Sequence, residues 1–166
     1  MSKIIVCVDQ NFGIGKDNDM PWGRSLQSDL DFFKETTINQ NVLMGYNTFV
    51  SILESLGKPL PKRESYVLTS KQNLSPVHDN VHFINHFDEA PKDFIVVGGG
   101  SIYKHFLDNN LISEIHLTMI HESFECDTFF PNVLDSNKWE VLSKKDFEKD
   151  EKNAFDFSFL HLKRRS

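Results

Sequence analysis

A chain of 166 residues, 39% apolar and 25% charged, reads as one ordinary domain over residues 1–166, long enough to bury a sizeable core. It has no run of about 18 apolar residues that could span a membrane, and Met1-Ser2-Lys3 leads into too short an apolar run for a signal peptide. The net charge of −6 argues against nucleic acid, whose binders usually present a basic face, and Cys7 and Cys126 sit in unlike contexts that suggest free thiols of a reducing, cytoplasmic compartment.

In chain order, Ile4-Ile5-Val6-Cys7-Val8 is a short apolar run and reads as a strand near 3–8, buried on both faces. A polar stretch follows from Asp9, with Gly13 and Gly15, and closes on Pro21-Trp22. Its Ile14, Met20 and Trp22 are too apolar for a linker, so an ordered loop over a site is expected. Ser28-x-x-Asp31 resembles a capping box with Asp in place of the usual Glu, opening a helix near 27–36. Leu26, Leu30 and Phe33 form its apolar stripe, with Phe32 to one side. Asp29 lies four residues before Phe33 and shares its face. A first-turn Asp ordinarily faces water and complements the helix dipole; a carboxylate directed along an apolar stripe is the stronger candidate for chemistry.

Strands are expected near 40–45, 65–69 and 81–84, helices near 47–55 and 86–90, and surface loops from Ser55 to Arg63 and from Ser70 to Asn80. His82 and His86 straddle a strand end, a poor arrangement for a metal. Phe94-Ile-Val-Val-Gly-Gly-Gly-Ser-Ile-Tyr103 is the most informative stretch. A buried strand near 93–97 runs into three glycines without Cβ atoms, so a ligand can approach the backbone. Ser101 can cap a helix near 101–108, along which Ile102, Tyr103, Phe106 and Leu107 recur at helical spacing. Strand, glycine turn and helix N-terminus together can hold a phosphate or pyrophosphate, although such glycines also serve tight helix–strand packing. Strands near 113–120, 138–146 and 154–162 complete the chain. Phe155, Phe157 and Phe159 alternate with Asp156 and Ser158, which suits an antiparallel edge strand, and Lys163-Arg164-Arg165 reads as a solvated tail. Alternating strands and helices predict an α/β fold with a mainly parallel sheet.

Taken together, these residues resemble the dihydrofolate reductase family. The matching pieces are Ile14-Gly15-Lys16 with Met20-Pro21-Trp22, Asp29-Leu30-x-x-Phe33-Lys34, and Met44-Gly45-x-x-Thr48-Phe49. They continue with Pro59-Leu60-Pro61-x-Arg63, Val67-Leu68-Thr69-Ser70, Val97-Gly98-Gly99-Gly100-x-x-Tyr103 and Asp127-Thr128-Phe129-Phe130-Pro131, in family order across nearly the whole chain. The stretch from Asp127 to Leu162 looks most like Gram-positive bacterial members. The resemblance implies a single domain with a mixed, mostly parallel eight-stranded sheet flanked by about four helices. It implies reduction of 7,8-dihydrofolate by hydride transfer from NADPH, in a cytoplasmic monomer that also takes diaminopyrimidine antifolates.

Roles follow by matching position. Asp29 is expected to be the only ionisable group deep in the pterin pocket, its pKa raised by burial more than the helix dipole lowers it. Thr118 is expected to share its hydrogen-bond network, and Trp22 to order a water. Ile5, Leu30, Phe33, Ile52, Leu60 and Val97 would wall the substrate's rings, a role hard to distinguish from ordinary core packing. Arg63 would grip the glutamate α-carboxylate through its planar fork, with Lys34 nearby. Cys7 and Ile14 would meet the nicotinamide carboxamide through backbone atoms, with Tyr103 beside the ring and Gly15 and Met20 in the loop above. Thr48 and Gly98, Gly99 and Gly100 would hold the pyrophosphate. Gly45, Asn47, Leu68, Thr69, Ser70, Lys71, Val97, Ser101 and Ile102 would line the rest of the cofactor.

Three departures qualify the resemblance. Tyr46 stands where the family usually has Arg, and Ser101 where many members carry a basic residue or Gln. Thr69, Ser70 and Lys71 therefore remain to bind the cofactor's 2′-phosphate. Gly23 to Ser28 carries a two-residue extension. Other readings of the chain are a related pyrimidine reductase of riboflavin synthesis, disfavoured by Asp29 with Arg63, a non-catalytic dinucleotide- or folate-binding protein, and a purely structural protein.

Overall fold

The computed structural model describes residues 2–17, 19–76 and 78–165, so Asn18 of the first loop lies outside it. Among the described residues ten strands are formed: β1 (Ser2–Val8), β2 (Gly13–Gly15), β3 (Asn41–Gly45), β4 (Glu64–Leu68), β5 (Val81–Ile84), β6 (Ile95–Gly98), β7 (Ile112–Ile120), β8 (Thr128–Phe129), β9 (Trp139–Phe147) and β10 (Phe157–Arg164). Three α-helices accompany them among the described residues: α1 (Gln27–Thr37), α2 (Tyr46–Leu56) and α3 (Gly100–Asp108). Eight strands make one sheet in the order β5-β4-β3-β6-β1-β7-β10-β9. All pairings from β5 to β7 are parallel, and β10 runs antiparallel to both β7 and β9. The expected mixed, mostly parallel eight-stranded α/β architecture is therefore found.

The apolar run of β1 has its cause in this order. The strand lies between β6 and β7 with a layer on each face, so both faces must be apolar. Its even-numbered residues Ile4, Val6 and Val8 pack with Ile102, Tyr103 and Phe106 of α3. On the same face as α3, Leu43 and Val96 join this core, while Val42 and Met44 turn to the opposite face, against Phe49 and Ile52 of α2 and Phe33 of α1. The sheet thus separates α3 from α1 and α2. The odd residues of β1 meet β7 in the register Lys3 to Glu114, Ile5 to His116 and Cys7 to Thr118, which places a row of polar groups beneath α1.

Several expectations need correction. The helix expected near 86–90 is a single 3-10 turn, Phe87–Glu89, closed by Glu89, whose carboxylate accepts the backbone N–H groups of Asn85 and His86, both at 2.7 Å. The strands β2 and β8 were not anticipated; they are too short to carry a periodic signal and pair only with each other. The phenylalanine-rich strand is antiparallel, but it is not the edge: β10 lies between β7 and β9, and it begins at Phe157. The outer strand is β9, whose residues beyond Trp139 are exposed. Nor is Arg164 part of a solvated tail. Its guanidinium lies 4.8 Å from the Trp139 ring centroid, and Nε donates to the Ile112 carbonyl at 2.7 Å.

Candidate active site

The site grows from the C-terminal ends of β1, β3, β6 and β7, where parallel α/β sheets commonly bind ligands. One wall is α1. Asp29 lies in its first turn above the Cys7–Thr118 pair, and its carboxyl accepts hydrogen bonds from the Thr118 hydroxyl and the Cys7 thiol. Burial pushes the Asp29 pKa above the ordinary carboxylate value, and the two hydrogen bonds oppose that rise only in part. Burial and the neighbouring carboxylate likewise push the Cys7 thiol up, so it stays protonated and donates. Asp29 is half-buried, reachable by a ligand from the cleft.

The expectation that Asp29 is the only ionisable group at this depth is corrected by Cys7, whose thiol sits on the carboxyl itself; a strand cysteine gave no sign of its side chain's direction. A second acid lies deeper still. Asp9 is 1% exposed, but its carboxylate accepts the backbone N–H groups of Asn11, Gly13 and Phe124 at 2.8–2.9 Å and is spent on shaping the first loop.

The expected capping box is absent. Leu26 occupies the N-cap position, no side chain of α1 caps it, and Ser28 lies inside the helix. Leu26 is 2% exposed and packs with Trp22, Ile120 and Phe157, so the core has claimed the position a polar cap would need. Likewise α3 starts from Gly99, with Ser101 exposed in its first turn and capping nothing.

The other residues that the resemblance assigns to substrate differ in exposure. Ile5 and Leu60 are buried, and Leu30, Phe33, Ile52 and Val97 are half-buried around the cleft. Arg63 is no solvated loop residue: it is 5% exposed, its Nε donates to Thr37 Oγ1 at 3.1 Å and its Nη1 to the Pro61 carbonyl at 2.8 Å. Thr37 in turn donates to the Phe33 carbonyl at 2.7 Å, and the guanidinium lies 6.0 Å from the Phe33 ring centroid. These two bonds engage two of the five guanidinium donors, and the fork is held against α1. Lys34, one residue on, is exposed. Trp22 is 5% exposed, packs edge-on against Phe124, and its Nε1 is a buried donor without a partner among the described residues.

The opposite wall is made of backbone. The N-termini of α2 and α3 converge, since a Cβ on Gly45 would come within 3.2 Å of Ile102 Cγ1. Gly98 has φ +148°, and a Cβ on Gly98 or Gly99 would lie 3.2 Å from Thr48 Oγ1. A Cβ on Gly100 would meet Thr128 Cγ2 at 2.5 Å, so the third glycine serves packing against β8. Two helix N-termini with a threonine hydroxyl between them form a cradle fit for a pyrophosphate, with Asn47 exposed beside Thr48. Tyr103 is buried and donates to the Ile5 carbonyl at 2.8 Å, linking α3 to β1.

Farther along, Leu68 and Thr69 lead to exposed Ser70 and Lys71. Lys71 N–H donates to Thr69 Oγ1 at 3.1 Å, and the Lys71 ammonium lies 4.4 Å from the Tyr46 ring centroid. Asn85, unremarked in the sequence, shapes this corner by donating to the carbonyls of Thr69 and Lys71 at 2.7 and 3.1 Å. Over the cleft, Gly15 and Ile14 are held through β8, and Asp127 fixes the loop: its backbone N–H donates to Gly15 O and its carboxylate accepts Asp17 N–H at 3.0 Å. Met20 is 39% exposed above them.

The family model for dihydrofolate reductase matches residues 1–164. The chain belongs to the dihydrofolate reductase family. Dihydrofolate reductases similar to it include that of Haemophilus influenzae, 38% identical with 98% of each chain covered, and that of Bacillus subtilis, 34% identical over all of this chain and 96% of the relative. That of Staphylococcus aureus is 35% identical, with 98% and 97% covered. Among solved structures, an Enterococcus faecalis dihydrofolate reductase complexed with NADP(H) and RAB-propyl superposes with a TM-score of 0.83 at 32% identity, covering 100% of this chain and 97% of that one.

Proposed function

We infer that this dihydrofolate reductase family member reduces 7,8-dihydrofolate to 5,6,7,8-tetrahydrofolate with NADPH, and that Asp29 is its essential acid. The observation that carries the reading is the raised Asp29 carboxyl on the Cys7–Thr118 pair, opposite a cradle of two helix N-termini. Reduced nicotinamide, when bound, supplies the hydride, and the protein's task is to align two flat rings and exclude competing reactions.

Asp29 binds the pterin 2-amino group and N3, a pairing that fixes the ring's orientation. Burial raises its pKa above that of an ordinary carboxylic acid, so it holds a proton more readily, and protonation at N5 would depend on that acid. Thr118 and Cys7 hold the carboxyl in place. Trp22 offers Nε1 to a water at the ring edge, the one buried donor of this wall without a partner among the described residues. Leu30, Phe33, Ile52 and Leu60 sandwich the rings, and Arg63 takes the glutamate α-carboxylate. Thr48, Gly98 and Gly99 hold the cofactor pyrophosphate, and Lys71 on Tyr46 takes the 2′-phosphate in place of the family's usual arginine. A diaminopyrimidine would present the same donors to Asp29 and compete with substrate. We read the chain as one monomeric domain working in the cytoplasm; no helix among the described residues is long and apolar enough to cross a membrane.

The test is the fall in absorbance as NADPH and dihydrofolate are consumed by purified protein. Consumption in equal amounts, blocked by a diaminopyrimidine, is the expected result. Saturable binding of both ligands without turnover would make the chain a binding protein and overturn the reading.

A further inference from the structure

Leu26 cannot cap α1, because it is an apolar residue held in the core beside Trp22 and Phe157. The first N–H groups of α1 nevertheless need acceptors. They find them 125 residues away. The Gln27 N–H donates to the Lys152 carbonyl at 3.0 Å, and the Ser28 N–H donates to Asn153 Oδ1 at 2.9 Å. Asn153 Nδ2 returns a bond to Ser28 Oγ at 3.0 Å, and Leu26 and Asn153 form an antiparallel bridge. Asn153 is 3% exposed.

The side chain that does this is itself fixed. The Asp150 carboxylate accepts the Lys152 N–H and the Asn153 N–H at 2.9 Å and Asn153 Nδ2 at 3.0 Å. The Ala154 N–H donates to the Ser25 carbonyl at 3.0 Å, tying the same turn to the segment that precedes α1. From this turn the chain enters β10, where Phe159 pairs with Thr118. One connection therefore holds both the start of the helix that carries Asp29 and the strand that backs Asp29's hydrogen-bond partner.

We propose that Asn153 is a positioning residue for the reductase chemistry: it caps α1 from the β9–β10 connection and so sets the Asp29 carboxyl on Thr118 and Cys7. Asn153 touches neither substrate nor cofactor in this account and acts through Asp29. The proposal rests on the reading of Asp29 given above. Asparagine suits the task because its carbonyl accepts from the helix while its amide donates to Ser28 and Asp150, which no other residue of that size does.

The experiment measures the affinity of 2,4-diamino-5-benzylpyrimidine, and separately of NADPH, for the wild type, Asn153→Ala, Asn153→Asp, Asp29→Asn and the Asn153→Ala/Asp29→Asn pair. Each variant's thermal midpoint sets a temperature at which all are folded. Asn153→Ala should weaken the diaminopyrimidine by roughly 3- to 10-fold, within the range a lost N-cap carries, and leave NADPH unchanged. Asn153→Asp, which keeps an acceptor for the Ser28 N–H, should recover part of the loss; it also keeps the proposal testable if the alanine variant does not fold. In the Asp29→Asn background the loss on Asn153→Ala should vanish, because a residue acting through Asp29 has nothing left to act on. The same fold-loss in both backgrounds would mean a purely structural role and overturn the proposal, as would an indifferent Asn153→Ala beside an impaired Asp29→Asn. An Asp29→Asn that binds and turns over like the wild type overturns the reading of Asp29 first, and the proposal with it.

Discussion

On the side of the cleft proposed for substrate an ionisable carboxyl is half-buried against Thr118 and Cys7, whereas on the side proposed for cofactor a formal charge, Lys71, stands exposed over Tyr46 and two helix N-termini offer backbone N–H groups. The difference follows from what each side must do. A group that holds and delivers a proton needs a pKa moved by low dielectric, so it must be removed from water. Phosphates carry their own charge and need only fixed donors and positive potential, which helix N-termini supply without burying an ion. Changes on the first side should therefore strike turnover and its pH dependence, and changes on the second should strike affinity and cofactor choice.

The largest effect belongs to Asp29→Asn. General acid–base help is worth about 10²–10⁴-fold, and turnover near neutral pH should fall by that order, with partial recovery in acid where the substrate takes its proton from solvent. Steady-state rates across pH check this, and wild-type-like turnover at neutrality would remove Asp29 from the mechanism. The same substitution should move stability the other way. Burial raises the folded-state pKa of Asp29, so the native chain holds an extra proton between the unfolded and folded values. Stability contributed by that proton is present below the unfolded pKa and lost as pH rises through the folded one. Asp29→Asn should thus melt higher than wild type at neutral pH, with the gap narrowing in acid.

Next comes Arg63→Ala, which should weaken dihydrofolate by more than about 1.5–3 kcal/mol, the worth of a charge-assisted bond. Affinity for a small diaminopyrimidine without a glutamate should change little; equal losses for both would show that Arg63 only braces Thr37 and Phe33. The smallest effects are expected at the cofactor corner. Lys71→Ala should lower the NADPH:NADH ratio in kcat/KM. Tyr46→Leu should lower it less, since a cation–π contact at an exposed site is worth about 0.5–1 kcal/mol. Tyr46→Arg should raise the ratio, but by less than an added arginine ordinarily would, because it removes the platform under Lys71. The shifts should shrink with added salt, and a ratio indifferent to Lys71→Ala would place the phosphate elsewhere.

The contrast also explains what could be read from the sequence. The strand-glycine-helix segment announces the cradle at the start of α3, since hydrophobic runs and glycines are local signals. Asp29 could be singled out from its place on the apolar face of α1. What holds these parts in place is hidden, because each tie joins separate segments of the chain: Asn153 to Ser28, Asn85 to Thr69, and Thr37 to Arg63. An asparagine that caps a distant helix looks in sequence like any loop asparagine, and the Ser28 capping box failed because a local motif says nothing of the core's claim on Leu26. The strands β2 and β8 escaped for the same reason, existing only through each other.

The proposed chemistry turns on the raised pKa of the Asp29 carboxyl. Isotope-detected titration of the Asp29 carboxyl carbon, set beside the pH profile of turnover, tests it most directly. An Asp29 midpoint above the ordinary carboxylate value, coinciding with the fall in rate as pH rises, is the expected result. An Asp29 that titrates like an exposed aspartate, with turnover still falling at a higher pH, would contradict it.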